Sequence, residues 1–280
     1  MWLEKHMERS KTVRVYYIDA FASELFKGNP AAVCLLDEAL SEPQMQAIAE
    51  QIGFSETCFV LACGKSHFTL RWFTPEIEVD LCGHGTLATA FILWQLNKEH
   101  EVKDTLYFHT KSGILPVYKE NDYIVLDFPL LPVTKSDKIY SGLLESLGLP
   151  QSELFESEIS KYLLIETTKE RLQSLNIDFY KLKQIPIHPF TSVIITSQGD
   201  DNYDFYSRCF AAWEGINEDP VTGSAHCVLA SYWQSYFPQK NNFKAFQASK
   251  RGGEIIINIK NDRTLLKGKA VLFMKGKIFL

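Results

Sequence analysis

The sequence predicts an α+β protein made of two similar halves, on three observations. Short β-forming segments outnumber helical ones along all 280 residues. Two apolar helices opened by glycine stand half a chain apart, with Cys82-Gly83 and Thr222-Gly223 separated by 140 positions. The surroundings of these helices also echo one another: Arg71-Trp72-Phe73 precedes Asp80 and the first helix, as Arg208-Cys209-Phe210 precedes Asp219 and the second. Both helices carry a Trp-Gln pair, Trp94-Gln95 and Trp233-Gln234, which aligns best at an offset of 139.

In chain order, Val13 to Phe21 alternates and is rich in β-formers, which predicts a strand. Gly28-Asn29-Pro30 predicts a turn before a short apolar strand, Ala31 to Leu36. Ser41, Glu42 and Pro43 open a helix with Met45, Ile48, Ala49 and Ile52 on one face and Gly53 at its end. Thr57 to Ala62 and Phe68 to Phe73 read as a strand pair, and 74–80 as a loop. Leu87 to Gln95 is apolar nearly all round and predicts a buried helix. Thr105 to His109, Gly113 to Lys119 and Tyr123 to Phe128 resume the strands, and the prolines at 129 and 132 suggest a crossover.

The second half repeats the order. A helix near Ser141 to Leu147 precedes strands at Lys161 to Glu166, Ser192 to Thr196 and Phe205 to Phe210. A second buried helix, Cys227 to Tyr236, follows Thr222 to His226. Strands at Phe243 to Ala248, Gly253 to Ile259, Thr264 to Gly268 and Ala270 to Met274 complete the set. The expected lobes are 13–128, closed by the C-terminal strand, and 129–280.

Composition bounds the function. Hydrophobic residues make up 46%, charged residues 22%, and the net charge is −5, with signs mixed along the chain. With no long basic run, nucleic acid is not an expected partner. Nor is a membrane, because no apolar stretch reaches spanning length. The charged segment Met1 to Thr12 lacks a signal-peptide core; it reads as a short extension, or as upstream of a late start at Met7. The six cysteines form neither CxxC pairs nor a secreted-protein framework, so reduced thiols and a cytoplasmic location are expected. The seven histidines show no HxH or HxxxH spacing, so no metal is expected.

Candidate chemistry gathers at a few positions. A helix starts with N–H groups lacking intrahelical partners and a partial positive charge, and glycine lets an anion approach them. Two such starts facing a cleft would cradle a carboxylate without an arginine. His84 begins the first helix, where structural and functional roles are both open; His226, in the second, reads as structural. Glu56 lies between a helix and an apolar strand. It is either a solvated loop residue or a partly desolvated carboxylate whose pKa rises toward the operating pH. Asp219 either caps the second helix or faces the cleft. Cys82 is either a reactive thiol or a small buried hydrophobe.

Several of these segments together resemble the phenazine-biosynthesis (PhzF-like) family. They are Asp19-Ala20-Phe21, Phe26-x-Gly28-Asn29-Pro30-Ala31-Ala32-Val33, Phe54-Ser55-Glu56-Thr57, Arg71-Trp72-Phe73-Thr74-Pro75 and Leu81-Cys82-Gly83-His84. Glu218 to His226 and Gln247-x-Ser249-x-Arg251-Gly252-Gly253 complete the match, which runs in the family's order over nearly the whole chain. The resemblance implies a diaminopimelate-epimerase-like fold, two similar lobes that each wrap a curved mixed sheet around a central helix, with the site between them. It also implies that Glu56 is the acid/base and that His84 and Asp219 assist. Gly83, Gly85, Gly223, Ser224, Ser55 and Asn29 would bind substrate. The family often has alanine or proline where this chain has Gly85. Epimerases of the parent fold pair two cysteines; Cys82 fits the first place, but Thr222 stands at the second, which disfavours a two-base racemase.

The expected function is a cofactor-free isomerase that moves a proton on a small cyclic or unsaturated carboxylic acid through one glutamate. A homodimer is the expected assembly. The alternatives are a racemase or epimerase that uses Cys82, and a catalytically idle binding protein that has kept the fold.

Overall fold

The computed structural model describes residues 11–96 and 104–280; the charged opening segment and Met7 lie outside the described residues. Contacts divide the chain into two units, the described residues of Met1–Leu126 with Gly268–Leu280, and Asp127–Lys267.

The first unit contains β1 (Thr12–Ala20), β2 (Asn29–Leu36), α1 (Glu42–Ile52), β3 (Thr57–Gly64), β4 (His67–Phe73), β5 (Glu78–Val79), α2 (Gly83–Leu96), β6 (Thr105–Thr110) and β7 (Gly113–Glu120), together with most of β8 (Tyr123–Pro129). Its pairing begins at the C-terminal strand (Ala270–Phe279), which lies antiparallel to β1. It continues β1–β2 antiparallel, β2–β3 parallel, β3–β4 antiparallel, β4–β6 parallel, and β6–β7–β8 antiparallel, with β5 on β4.

The second unit contains β9 (Thr134–Lys135), α3 (Leu143–Ser146), β10 (Leu154–Ser157), β11 (Tyr162–Glu166), α4 (Lys169–Ser174), α5 (Phe179–Lys183), β12 (Ser192–Gln198), β13 (Phe205–Ala211), β14 (Ile216–Asp219), α6 (Gly223–Tyr236), β15 (Asn242–Gln247), β16 (Gly253–Lys260) and β17 (Arg263–Gly268). The same pattern recurs: β10–β11 antiparallel, β11–β12 parallel, β12–β13 antiparallel, β13–β15 parallel, and β15–β16–β17 antiparallel, with β14 on β13. Besides short elements the sequence did not mark, three details depart from expectation. Asn29 and Pro30 open β2 instead of forming a turn, the 74–80 loop holds β5, and both central helices begin four residues before their apolar runs.

Each sheet has helices on both faces. In the first unit, Met45, Ile48 and Ala49 of α1 pack on Val13, Val15, Ala32, Cys34, Phe59 and Phe73. The strand period of two sends the neighbouring Ala31 and Val33 to the other face, and α2 packs on β1, β2 and β3. Because α2 is buried on most sides, its sequence is apolar all round. In the second unit, α6 docks through Trp233, stacked on Phe205 at 5.7 Å with its Nε1 donating to Thr196 Oγ1 at 3.0 Å. Trp94 is only half-buried. It is the twelfth residue of α2 and Trp233 the eleventh of α6, and one position turns a side chain by about 100°. The Trp-Gln echo is therefore not a structural equivalence.

The arginine echo is one. Arg71 Nε and Nη2 each donate to Glu78 at 2.6 Å, and the guanidinium lies 5.1 Å from the Phe73 ring centre. Arg208 donates to Glu218 at 2.7 and 2.9 Å, 5.1 Å from the Phe210 ring centre. In both units a bidentate pair pins the short strand ahead of the central helix.

Hydrogen bonds from Arg71 outweigh desolvation and, with Lys111, hold the Glu78 carboxyl below the usual range. A carboxyl depressed in the folded state adds stability that is present above its unfolded pKa and lost as pH falls through the folded value. Thermal unfolding should therefore drop below about pH 4.3. Glu78→Gln should flatten that part of the profile, and an unchanged profile would remove Glu78 from the account. Among the described residues, no helix is long and apolar enough to cross a membrane.

Candidate functional site

In the first unit, local sequence features bring five expected residues together. Gly28, at φ +64°, turns the chain into β2, and a Cβ there would lie 2.1 Å from Ala20 O, so only glycine fits. That turn fixes Asn29 as the first residue of β2, opposite Ala20. Ser41 caps α1, with Gln44 Oε1 accepting the Ser41 N–H at 3.1 Å, and Gly53 ends the helix in the left-handed region at φ +71°. The chain then delivers Ser55 and Glu56 to the start of β3, where Ala32 N donates to Glu56 O at 3.4 Å. Cys82, Gly83, His84 and Gly85 form the entry and first turn of α2.

Glu56 Oε2 lies 3.1 Å from His84 Nε2, and the two side chains are 16% and 7% exposed, so the glutamate is not a solvated loop residue. Oε2 is buried and makes no aligned hydrogen bond. Asn29 Nδ2 sits 3.2 Å from His84 Nδ1, on the opposite side of the ring. In the neutral ring, that orientation of the amide donates to Nδ1 and leaves the ring proton on Nε2, facing the carboxylate. Ser55 Oγ is 3.5 Å from Nε2, and Cys82 Sγ is 3.6 Å from Nδ1.

These contacts correct the expected direction of the Glu56 pKa. Burial does push it up. The positive charge that His84 carries when protonated, with the polar contacts of His84, Ser55 and Cys82, outweighs burial and holds it below the usual carboxylate range. Glu56 is therefore ionised at neutral pH. Sequence reasoning missed this because partners 26 and 28 residues downstream set the sign.

Gly85 touches this cluster from behind. A Cβ there would lie 2.7 Å from Cys58 Sγ, 3.0 Å from Cys82 Sγ and 3.1 Å from Trp72 Cδ1. Alanine normally improves a helix by about 1 kcal/mol over glycine. Overpacking a buried site costs about 1–3 kcal/mol. Gly85→Ala should therefore lower the melting temperature, and Cys58→Ala in the same chain should restore part of the loss. A melting temperature at or above that of the native chain would show that the thiols yield freely.

In the second unit, Asp219 ends β14 and Oδ2 accepts from Thr222 Oγ1 at 2.5 Å. Thr222 precedes α6 at the place Cys82 holds before α2. Two partners here were not singled out from the sequence for any role. Buried Gln247 accepts from Thr222 N at 2.8 Å and donates to Asp219 O at 2.7 Å. Tyr162, at the start of β11, lies 2.8 Å from Ser224 Oγ, and burial pushes its pKa well up. Gln247 stands within a matched motif, whereas no sequence signal marks Tyr162. His226 proves structural: it is fully buried, Nδ1 lies 2.7 Å from Thr222 O, and burial lowers its pKa to about 4.

For a metal, one donor set exists among the described residues. Single ligand atoms of Glu56, Cys82 and His84 all lie within 4.8 Å of one another.

Known proteins resemble this chain in sequence and in fold. A family model described as phenazine biosynthesis-like protein matches residues 18–276. An uncharacterized isomerase of Halalkalibacterium halodurans is 43% identical over 271 residues, covering 96% of this chain and 99% of the relative. A PhzF-family crystal structure from Enterococcus faecalis superposes with a TM-score of 0.89 at 40% identity, covering 96% of this chain and all of the other. A hydroxyproline epimerase from Agrobacterium vitis, 9% identical with a TM-score of 0.62, covers 96% of this chain and 93% of its own, and shares the fold alone. The fold is α+β and diaminopimelate-epimerase-like, and it supports an isomerase-type function. By sequence along nearly its whole length and by structure, the chain belongs to the phenazine biosynthesis-like (PhzF) family.

Proposed function

We propose that this protein is a cofactor-independent isomerase that moves a proton on a small cyclic or unsaturated carboxylic acid, with Glu56 as the single acid/base. The observation that carries the proposal is the buried Glu56 Oε2, 3.1 Å from His84 Nε2. An ionised carboxylate in a largely buried site accepts a proton from an activated C–H bond. The electron pair of that bond shifts into the conjugated system of the acid, and the protonated carboxyl returns the proton to a second carbon. Because His84 holds the carboxylate's pKa low, the base is weak. That favours substrates whose C–H is acidified by conjugation over unactivated amino acids. Asn29 and Ser55 orient His84 and Glu56. Asp219, Gly223 and Ser224 bind substrate in this reading, and Gly83 and Gly85 offer backbone at the start of α2.

The test is to incubate the protein in D2O with a panel of unsaturated and cyclic carboxylic acids and follow deuterium incorporation and isomer formation by NMR. Exchange that depends on Glu56 supports the proposal. Exchange that survives Glu56→Gln but is lost in Cys82→Ser transfers the chemistry to the thiol.

A further inference from the structure

We infer that Glu56, Cys82 and His84 form a three-ligand site for a zinc-type divalent cation, which makes such an ion a reversible inhibitor of this protein. Binding stands on the geometry alone, and inhibition rests on the isomerase reading above.

The donor set is mixed sulfur, nitrogen and oxygen, which zinc accepts, and three protein ligands leave a fourth position open. With bonds of about 2.0–2.1 Å to nitrogen and oxygen, 2.3 Å to sulfur and tetrahedral angles, ligand atoms should stand about 3.3 Å apart for N and O and about 3.6 Å for N and S. Glu56 Oε2 and His84 Nε2 are 3.1 Å apart, and Cys82 Sγ is 4.0 Å from the same nitrogen. Those two sides need shifts of less than half an ångström, and the third, from the carboxylate oxygen to sulfur, lies within 4.8 Å, so closing it takes at most about 1.2 Å. Glu56 Oε2, one corner of this triangle, is buried and makes no aligned hydrogen bond.

The second layer also suits a metal. Ligating histidines hold their other ring nitrogen with a polar partner, and Asn29 lies 3.2 Å from His84 Nδ1. Turning the Asn29 amide presents Oδ1 to Nδ1–H and frees Nε2 for the cation. The Cys82 S–H bond breaks, its proton leaves to solvent and a metal–sulfur bond forms, with no change of oxidation state. One carboxylate and one thiolate then balance the two positive charges. With its Oε2 lone pair engaged, Glu56 no longer accepts a proton from carbon.

The test titrates Zn2+ into the reduced full-length chain by calorimetry and repeats the binding with Co2+ to read a thiolate-to-cobalt charge-transfer band. The inference expects one ion per chain, with affinity at least about 10-fold weaker in Cys82→Ser and in His84→Ala. The cobalt band should vanish in Cys82→Ser and persist in Cys63→Ser, whose thiol is exposed. His67 and His109, with ring nitrogens 3.0 Å apart, are the competing donors, so His67→Ala should leave the affinity unchanged. No binding by the native chain, full affinity in Cys82→Ser, or loss in His67→Ala instead would each overturn the inference. Turnover lost in Glu56→Gln without any zinc binding would sink this site while leaving the isomerase proposal standing.

Discussion

Replacing Glu56 with glutamine should lower turnover of any substrate acid by about 10²–10⁴-fold, the usual share of general acid/base catalysis. That factor corresponds to about 2.7–5.4 kcal/mol of barrier. The amide keeps the shape of the carboxylate and can still accept from His84 Nε2, 3.1 Å away in the native protein, so the loss reports the missing base and not a collapsed site. Because the folded pKa of Glu56 is depressed, its ionised form also stabilises the fold, and the glutamine variant should melt at or slightly below the native temperature. Deuterium exchange into the substrate and a melting curve on the same sample separate the two effects. Near-native exchange rates with an intact fold would refute the single-base mechanism.

Arg208→Leu should cost about 3–5 kcal/mol of stability, the penalty for leaving one member of a buried ion pair unpaired. Arg208 and Glu218 side chains are only 13% and 18% exposed. The guanidinium also donates from Nη1 to Leu172 O and Leu175 O, both at 3.2 Å, so it ties the end of α4 to β13. Urea unfolding should show a lowered midpoint for Arg208→Leu and partial recovery in Arg208→Leu/Glu218→Leu, because the double change removes the stranded carboxylate. The equivalent Arg71→Leu should cost less: Arg71 is 31% exposed, and Lys111 still pairs with Glu78. Equal losses at the two positions would mean that burial does not govern these pairs.

Much of the fold was legible because it is written in local signals. Ser41, Gln44 and Gly53 mark both ends of α1 through capping that depends only on neighbours in sequence. The all-apolar run after Gly83 announced a helix with no face for water, and the repeated Arg-x-Phe, read from the sequence only as an echo, carries the arginine of the same bidentate pair in each unit. The misses share another cause. Two-residue strands such as β5 and β9 exist only because a partner strand offers its edge, and the short α4 and α5 are held by the Leu172 and Leu182 core contacts. Their own sequences carry too few periods to register.

The sequence by itself determined the α+β class, the repeated order of elements, and the set of residues able to do acid/base chemistry, because strand periodicity, helix caps and turns are short-range properties. Only the tertiary structure decided the state of those residues. It placed Asn29, Ser55, Glu56, Cys82 and His84 around one ring, reversed the expected pKa shift of the glutamate and assembled a metal-competent donor set that no spacing pattern reveals. The physical reason is range. An ionisation equilibrium or a coordination site depends on charges and donors within a few ångströms in space, and here these come from three separate segments of the chain.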